Sequence, residues 1–133
     1  MGTLQLEVVT PDKTVVSAEV EMVVCPGVEG EFGVLPQHVS LLSALKIGDL
    51  RYRVNGKDEN VFISGGFADV NNNVLSVLAE SAELAGDIDT ARAQAARERA
   101  EKRLTAHDES VDQTRAEAAL QRAITRLQVA QLR

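Results

Sequence analysis

Six arginines carry the most suggestive spacing in this sequence. Arg92, Arg99 and Arg103 stand at i, i+7 and i+11, and Arg115, Arg122 and Arg126 repeat the interval. At 100° per residue of α-helix, each set falls within about 40° on one face. In an antiparallel helix pair the two stripes can border one groove. A guanidinium donates two parallel hydrogen bonds to a phosphate or a carboxylate, so converging arginines make a receptor for either anion. The same spacing also suits two solvated faces, with Glu98 and Glu101 balancing the first stripe.

Other chemically capable residues are poorly placed. In the run from Gly27 through Gly30 and Gly33 to Pro36 and His38, Glu29 and Glu31 sit among the glycines and no Gly-Lys-Ser/Thr follows. That predicts a structural turn or protein-contact loop rather than a phosphate cradle. His38 and His107 lack a His or Cys partner at ligand spacing and read as loop and turn histidines, so no metal site is expected. No nucleophile elbow surrounds any serine. The lone Cys25 excludes an internal disulfide and reads as a small buried hydrophobe. Catalysis by this chain alone is not expected.

The elements that must carry these residues divide the chain in two. All 9 glycines, all 3 prolines and the aromatics Phe32, Tyr52, Phe62 and Phe67 lie before Asp87. Residues 1–87 hold 5 basic and 13 acidic groups, whereas 88–133 hold 9 basic and 7 acidic, so the net charge of −6 hides a mildly cationic tail. With the aromatics in the acidic part, a nucleic-acid binder is disfavoured. No apolar run approaches the roughly 18 residues of a membrane span and no secretion signal opens the chain, which predicts a cytoplasmic protein without direct membrane insertion.

Period-2 alternation governs the first part. Leu4, Leu6 and Val8 predict a half-buried strand. After a turn at Thr10-Pro11-Asp12-Lys13, a second, longer strand places Ala18, Val20, Met22 and Val24 on one side. Leu50, Tyr52 and Val54 predict another strand, turned by Asn55-Gly56 into Val61-Phe62-Ile63. Gly65-Gly66 and Asn71-Asn72-Asn73 punctuate two more, Phe67 to Val70 and Val74 to Leu78. Residues 1–84 thus read as an antiparallel β-sandwich.

Beyond Gly86 the period becomes 3.6. A helix over Ile88 to Leu104, capped by Asp87 or Asp89, gives way at His107-Asp108-Glu109-Ser110 to a second from Asp112 to Gln131. Ala116, Ala119, Leu120, Ala123, Leu127 and Ala130 lie on one face of the second helix, so residues 85–133 predict an antiparallel two-helix hairpin. Its alanine seam packs closely but buries modest apolar area, which predicts a weakly held, detachable element.

Three stretches resemble the ε subunit of the bacterial F-type ATP synthase: Gly30-Glu-Phe-Gly-Val-Leu-Pro36-Gln-His38 running on through Leu41 to Gly48, Ser64-Gly65-Gly66-Phe67 followed by Val77 to Glu83, and Ile88-Asp89-Thr90-Ala91-Arg92-Ala93. The resemblance covers essentially the whole chain. It implies a central-stalk subunit at the cytoplasmic face of the bacterial inner membrane, peripheral to it. Its sandwich would bind the γ subunit and the c-ring, and its hairpin would inhibit ATP hydrolysis when extended toward the α and β subunits, where catalysis resides. It further implies a regulatory ATP site in the folded hairpin, with the role of Mg2+ open. The matching positions are Glu83, Ile88, Asp89, Arg92, Ala93, Arg99, Arg122 and Arg126. Arg92, Arg99, Arg122 and Arg126 would meet phosphates, and Asp89 with the backbone near Ile88 would meet the adenine. Arg103 and Arg115 are assigned to acidic contacts on the β subunit. A purely structural, inhibitory subunit without physiological nucleotide is the alternative. Ser40 and Ala68 depart from the proline and acidic residue common in the family.

Overall fold

A computed structural model of the chain describes residues 2–106 and 112–132. Eight strands come first: β1 (Leu4–Val9), β2 (Thr14–Val20), β3 (Met22–Gly27), β4 (Gly30–Val34), β5 (Leu41–Val54), β6 (Lys57–Asn71), β7 (Val74–Ala79) and β8 (Ala82–Leu84). A single 3-10 turn, Ala85–Asp87, leads into helices α1 (Thr90–Thr105) and α2 (Gln113–Ala130). The predicted interhelical break at His107 to Ser110 lies outside the described residues.

The sandwich is one sheet folded over itself. Its hydrogen-bonded order is β2-β1-β7-β6-β5-β3-β4, with β8 beside β6. The long strands β5 and β6 belong to both layers. Leu41 to Leu45 pair with Gly66 to Val70 in the layer that continues to β7, β1 and β2, whereas Ile47 to Val54 pair with Lys57 to Ser64 in the layer holding β3, β4 and β8. The fold-over falls at Gly65-Gly66, both at positive φ. Gly66 is obligatory here, because a Cβ would lie 1.9 Å from the Leu78 carbonyl oxygen.

Several sequence expectations change. Gly65-Gly66 bends one strand where a break between two was predicted, because the backbone keeps its ladder partners on both sides of the bend. The strand predicted through Val24 is two. At Glu21 the chain leaves β1 as partner and joins β5, so the phase slips and Val23 and Cys25 turn inward in place of Met22 and Val24. The glycine-rich run after Cys25 makes the structural turn expected of it, at Val28-Glu29, and adds strand β4 to it as the β3–β4 hairpin, with Gly27 opposite Gly30. The pairing is not wholly antiparallel either, since β1 runs parallel to β7. Asn55-Gly56 and Asn72-Asn73 adopt the positive φ values of tight hairpin turns.

The core between the layers comprises Leu4, Leu6, Val8, Val20, Val23, Leu50, Val61, Ile63, Val70 and Leu75, with smaller neighbours. Cys25 is buried there, and burial pushes its thiol up to about 12, which keeps it protonated and inert. Ala68 is also fully buried, so it cannot touch a partner directly; its neighbour Asp69 is exposed.

The hairpin docks on the outer face of the β3–β6 layer. Where α1 and α2 pack, the buried residues include Ala93 and Ala100 of α1 and Ala116 and Ala123 of α2; of the face predicted for α2, Ala116, Ala123 and Ala130 are buried, whereas Ala119, Leu120 and Leu127 are only half-buried. A separate apolar cluster joins hairpin to sandwich: Phe62 and Ile47 from the sheet, Ala85 and Ile88 from the connection, and Val129 and Ala130 from the last turn of α2. The hairpin is therefore fastened by its base.

Candidate functional site

The two helices that carry the arginines begin on side-chain caps. Asp89 accepts from the Arg92 amide at 3.0 Å, and Asp112 accepts from the Arg115 amide at 3.1 Å. Of the two predicted caps for α1, Asp89 serves; Asp87 ends the 3-10 turn instead.

Between the hairpin and the sandwich edge lies a cleft of about 630 Å3. One wall is helical: Arg92, Ala93, Ala96 and Arg99 from α1, with Ala119, Arg122 and Arg126 from α2. The other comes from the sandwich: Asp12 in the β1–β2 turn, Ser81 between β7 and β8, and Glu83 in β8. Asp89, the cap of α1, lines it as well. The volume falls within the range of small-molecule sites.

Seven of the eight residues expected to line one site do so: Glu83, Asp89, Arg92, Ala93, Arg99, Arg122 and Arg126. Ile88 does not. Its side chain is buried in the joint with Phe62 and Val129, one residue before the Asp89 cap. Arg103 and Arg115 lie in a second depression with Asp112, which Arg122 and Ala119 connect to the cleft. Arg115 there approaches Asp112 at 3.6 Å while staying 88% exposed.

The cleft is electrostatically two-sided. Arg126 donates from Nε to Glu83 at 2.5 Å, both side chains being about one-third exposed or less. Its guanidinium also lies over the Phe62 ring, 4.3 Å from the centroid. Among the described residues Arg92, Arg99 and Arg122 form no ion pair within 4.0 Å. Three guanidiniums thus keep their donors available for an anion, and the alanines between them leave room for it. No group of three His, Cys, Asp or Glu residues among those described is placed to hold a metal ion.

Sequence reasoning missed Asp12, Ser81, Ala96 and Ala119. The alanines had a signal: each stands four residues after one arginine of its stripe and three before the next. Asp12 and Ser81 had none, because only the sandwich topology brings those connections to the helices.

Residues 3–85 match the family profile described as ATP synthase, Delta/Epsilon chain, beta-sandwich domain, and residues 87–131 match that described as ATP synthase, Delta/Epsilon chain, long alpha-helix domain. The ATP synthase epsilon chain of Nitratidesulfovibrio vulgaris (strain DP4) is 59% identical over 127 residues, 96% of this chain and 95% of the relative. That of Syntrophobacter fumaroxidans is 54% identical over 128 residues, 96% of each. Among solved structures, a chain of the Euglena gracilis mitochondrial ATP synthase, OSCP/F1/c-ring in rotational state 1, superposes with a TM-score of 0.82 at 28% identity, covering 100% of this chain and 83% of its own. A chain from the Tetrahymena thermophila mitochondrial ATP synthase central stalk and c-ring shares the fold at a TM-score of 0.61 and 13% identity, covering 95% of each. Sandwich, hairpin and sequence agree over nearly the full length: the chain belongs to the ATP synthase delta/epsilon chain family.

Proposed function

We propose that this chain is a central-stalk subunit of an F-type ATP synthase whose folded hairpin holds ATP as a regulatory ligand and whose extended hairpin restrains ATP hydrolysis. The sandwich binds the γ subunit and the c-ring at the membrane surface; the α and β subunits carry the catalysis. The Euglena relative, taken from an assembly of OSCP, F1 and c-ring, supports these partners. Among the described residues no helix is long and apolar enough to cross a membrane, in keeping with a peripheral position.

The observation that carries the nucleotide reading is the gathering of Arg92, Arg99 and Arg122, without an ion pair among the described residues, with Arg126 in one cleft against Asp89 and Glu83. Cationic donors suit the polyphosphate, and carboxylate acceptors suit the amino and hydroxyl hydrogens of a nucleoside. A ligand touching both helices and the sandwich stabilises the docked hairpin by mass action. When the hairpin leaves, the same arginines, with Arg103 and Arg115, become available to acidic surface on the β subunit.

Calorimetric titration of ATP into the isolated full-length chain tests the reading. Saturable binding is expected at up to millimolar ATP. Arg92→Ala and Arg122→Ala should each weaken it about 10- to 100-fold, the loss of one charge-assisted contact. Absence of saturable binding, or binding indifferent to both substitutions, leaves the purely structural, inhibitory reading.

A further inference from the structure

Asp12 is the one carboxylate of the cleft that its sequence neighbourhood does not explain. It lies in the turn between β1 and β2, exposed, and among the described residues it makes no ion pair. The hydrogen bonds of that turn do not use its side chain. The Thr10 amide donates to the Lys13 carbonyl, and the Thr10 hydroxyl accepts from the Asp12 and Lys13 amides. Yet the turn places Asp12 in the lining of the cleft that Arg92, Arg99 and Arg122 also line. Glu83 is occupied by Arg126, and Asp89 caps α1, so Asp12 is the sandwich carboxylate left to face the unpaired arginines.

We propose that Asp12 is the internal counter-anion of the empty cleft: it steadies the docked hairpin when no ligand is present and opposes any polyphosphate that enters. The proposal rests on the reading of the cleft as a polyphosphate site. The carboxylate belongs to the sandwich and the arginines belong to the hairpin, so their attraction acts across the interface that must open for the hairpin to leave. A polyphosphate brings more charge to the same arginines and feels repulsion from Asp12, so its net affinity is the difference between the two. Asp12 therefore narrows the stability gap between empty and filled hairpins, and it makes release of the hairpin on ligand loss less abrupt.

Asp12→Asn separates these effects while leaving the turn's hydrogen bonds in place. The full-length protein and variant are titrated calorimetrically with ATP and, separately, with inorganic tripolyphosphate at low and high salt. Amide exchange of α1 and α2 is followed without ligand. In the variant both ligands should bind about 3- to 10-fold tighter at low salt, with the gap closing at about 0.5 M salt as screening shortens the interaction. Helix amides of the empty variant should exchange several-fold faster. If wild type binds but the variant's affinity is unchanged, or the gap ignores salt, the counter-anion role fails and the cleft reading stands. If wild type binds neither ligand, the cleft reading falls and takes the ligand-opposing half with it. Unchanged exchange in the empty variant overturns the docking half.

Discussion

The guanidinium of Arg126, on α2, stacks over the ring of Phe62, on β6, with its Cζ 4.3 Å from the ring centroid. This contact ties two functions to one side chain. Phe62 is fully buried at the centre of the joint that fastens the hairpin, and Arg126 also lines the arginine cleft. Its Nε is held by Glu83 at the same time, so the group that would meet a ligand is already oriented by the sandwich. Docking of the hairpin and the proposed ligand site therefore share this residue.

Arg126→Ala removes the stacking and the ion pair together. Each is worth about 0.5–2 kcal/mol when partly desolvated. The empty hairpin should detach about 10-fold more readily, read as faster amide exchange in α2 or faster tryptic cleavage there. Arg126→Lys, which keeps a charge without the flat fork, should recover only part of the loss. Equal protection in wild type and Arg126→Ala would show that the apolar joint alone sets docking.

Removal of residues 88–133 should leave a folded sandwich, since the core between its layers draws on no residue of the hairpin. The truncated chain is expected to assemble with the rotor and support coupling, while ATP hydrolysis by the reconstituted complex rises several-fold. Hydrolysis at the wild-type rate would mean the hairpin is not inhibitory in this enzyme.

Gly66→Ala attacks the fold-over of the sheet. A methyl group there meets the Leu78 carbonyl oxygen at 1.9 Å, and the φ of +144° is itself costly for an L side chain. The expected loss is about 3 kcal/mol or more, seen as a melting temperature lowered by 10 °C or more in thermal denaturation. A near wild-type melting curve would require the β6–β7 pairing to slip without cost.

Asp49 gives a stability test with a defined sign. It faces α2 across a cavity shared with Gln121, Thr125 and Gln128, and Asn60 donates to both its oxygens. Burial pushes its carboxyl up from the ordinary 3.8, against the lowering effects of the Asn60 amide and Arg51, with Glu31 adding to the rise. The folded protein then holds the proton more readily than the unfolded chain does. Ionised Asp49 therefore costs stability at neutral pH, and the cost fades as pH falls through the raised value toward 3.8. Asp49→Asn should melt higher than wild type at pH 7, with the two curves converging near pH 4. A gap independent of pH would assign the effect to packing.

Much of this was legible in the sequence for local reasons. Asp89 and Asp112 announce the helix starts, the arginine intervals announce the shared face, and Asn55-Gly56 announces its hairpin. What stayed hidden depends on distant partners. The phase slip at Glu21 arises because β2 pairs with β1 whereas β3 pairs with β5, a change no local alternation records. Gly65-Gly66 looks the same in sequence whether it ends a strand or bends one. Asp12 and Ser81 reach the cleft only through the layer order of the sheet. The side chain of Ile88 turns into the joint, where an apolar group next to Phe62 leaves water altogether, a placement set by the docking of α2 and not by local sequence.

The fastening of the hairpin near its base has a mechanical corollary. The connection that leads into α1 and the end of α2 meet the sandwich at one spot, while Arg103 and Arg115 lie toward the far end. Such an arm behaves as a cantilever: its hold on the sandwich is concentrated in the last turns of α2 and the connection before α1, so loosening that region releases the far end with it. Sequence changes at Val129, Ala130 or Ile47 can thus retune how easily the arm lifts without touching the sandwich interior, acting alongside the contacts of Arg126 with Phe62 and Glu83.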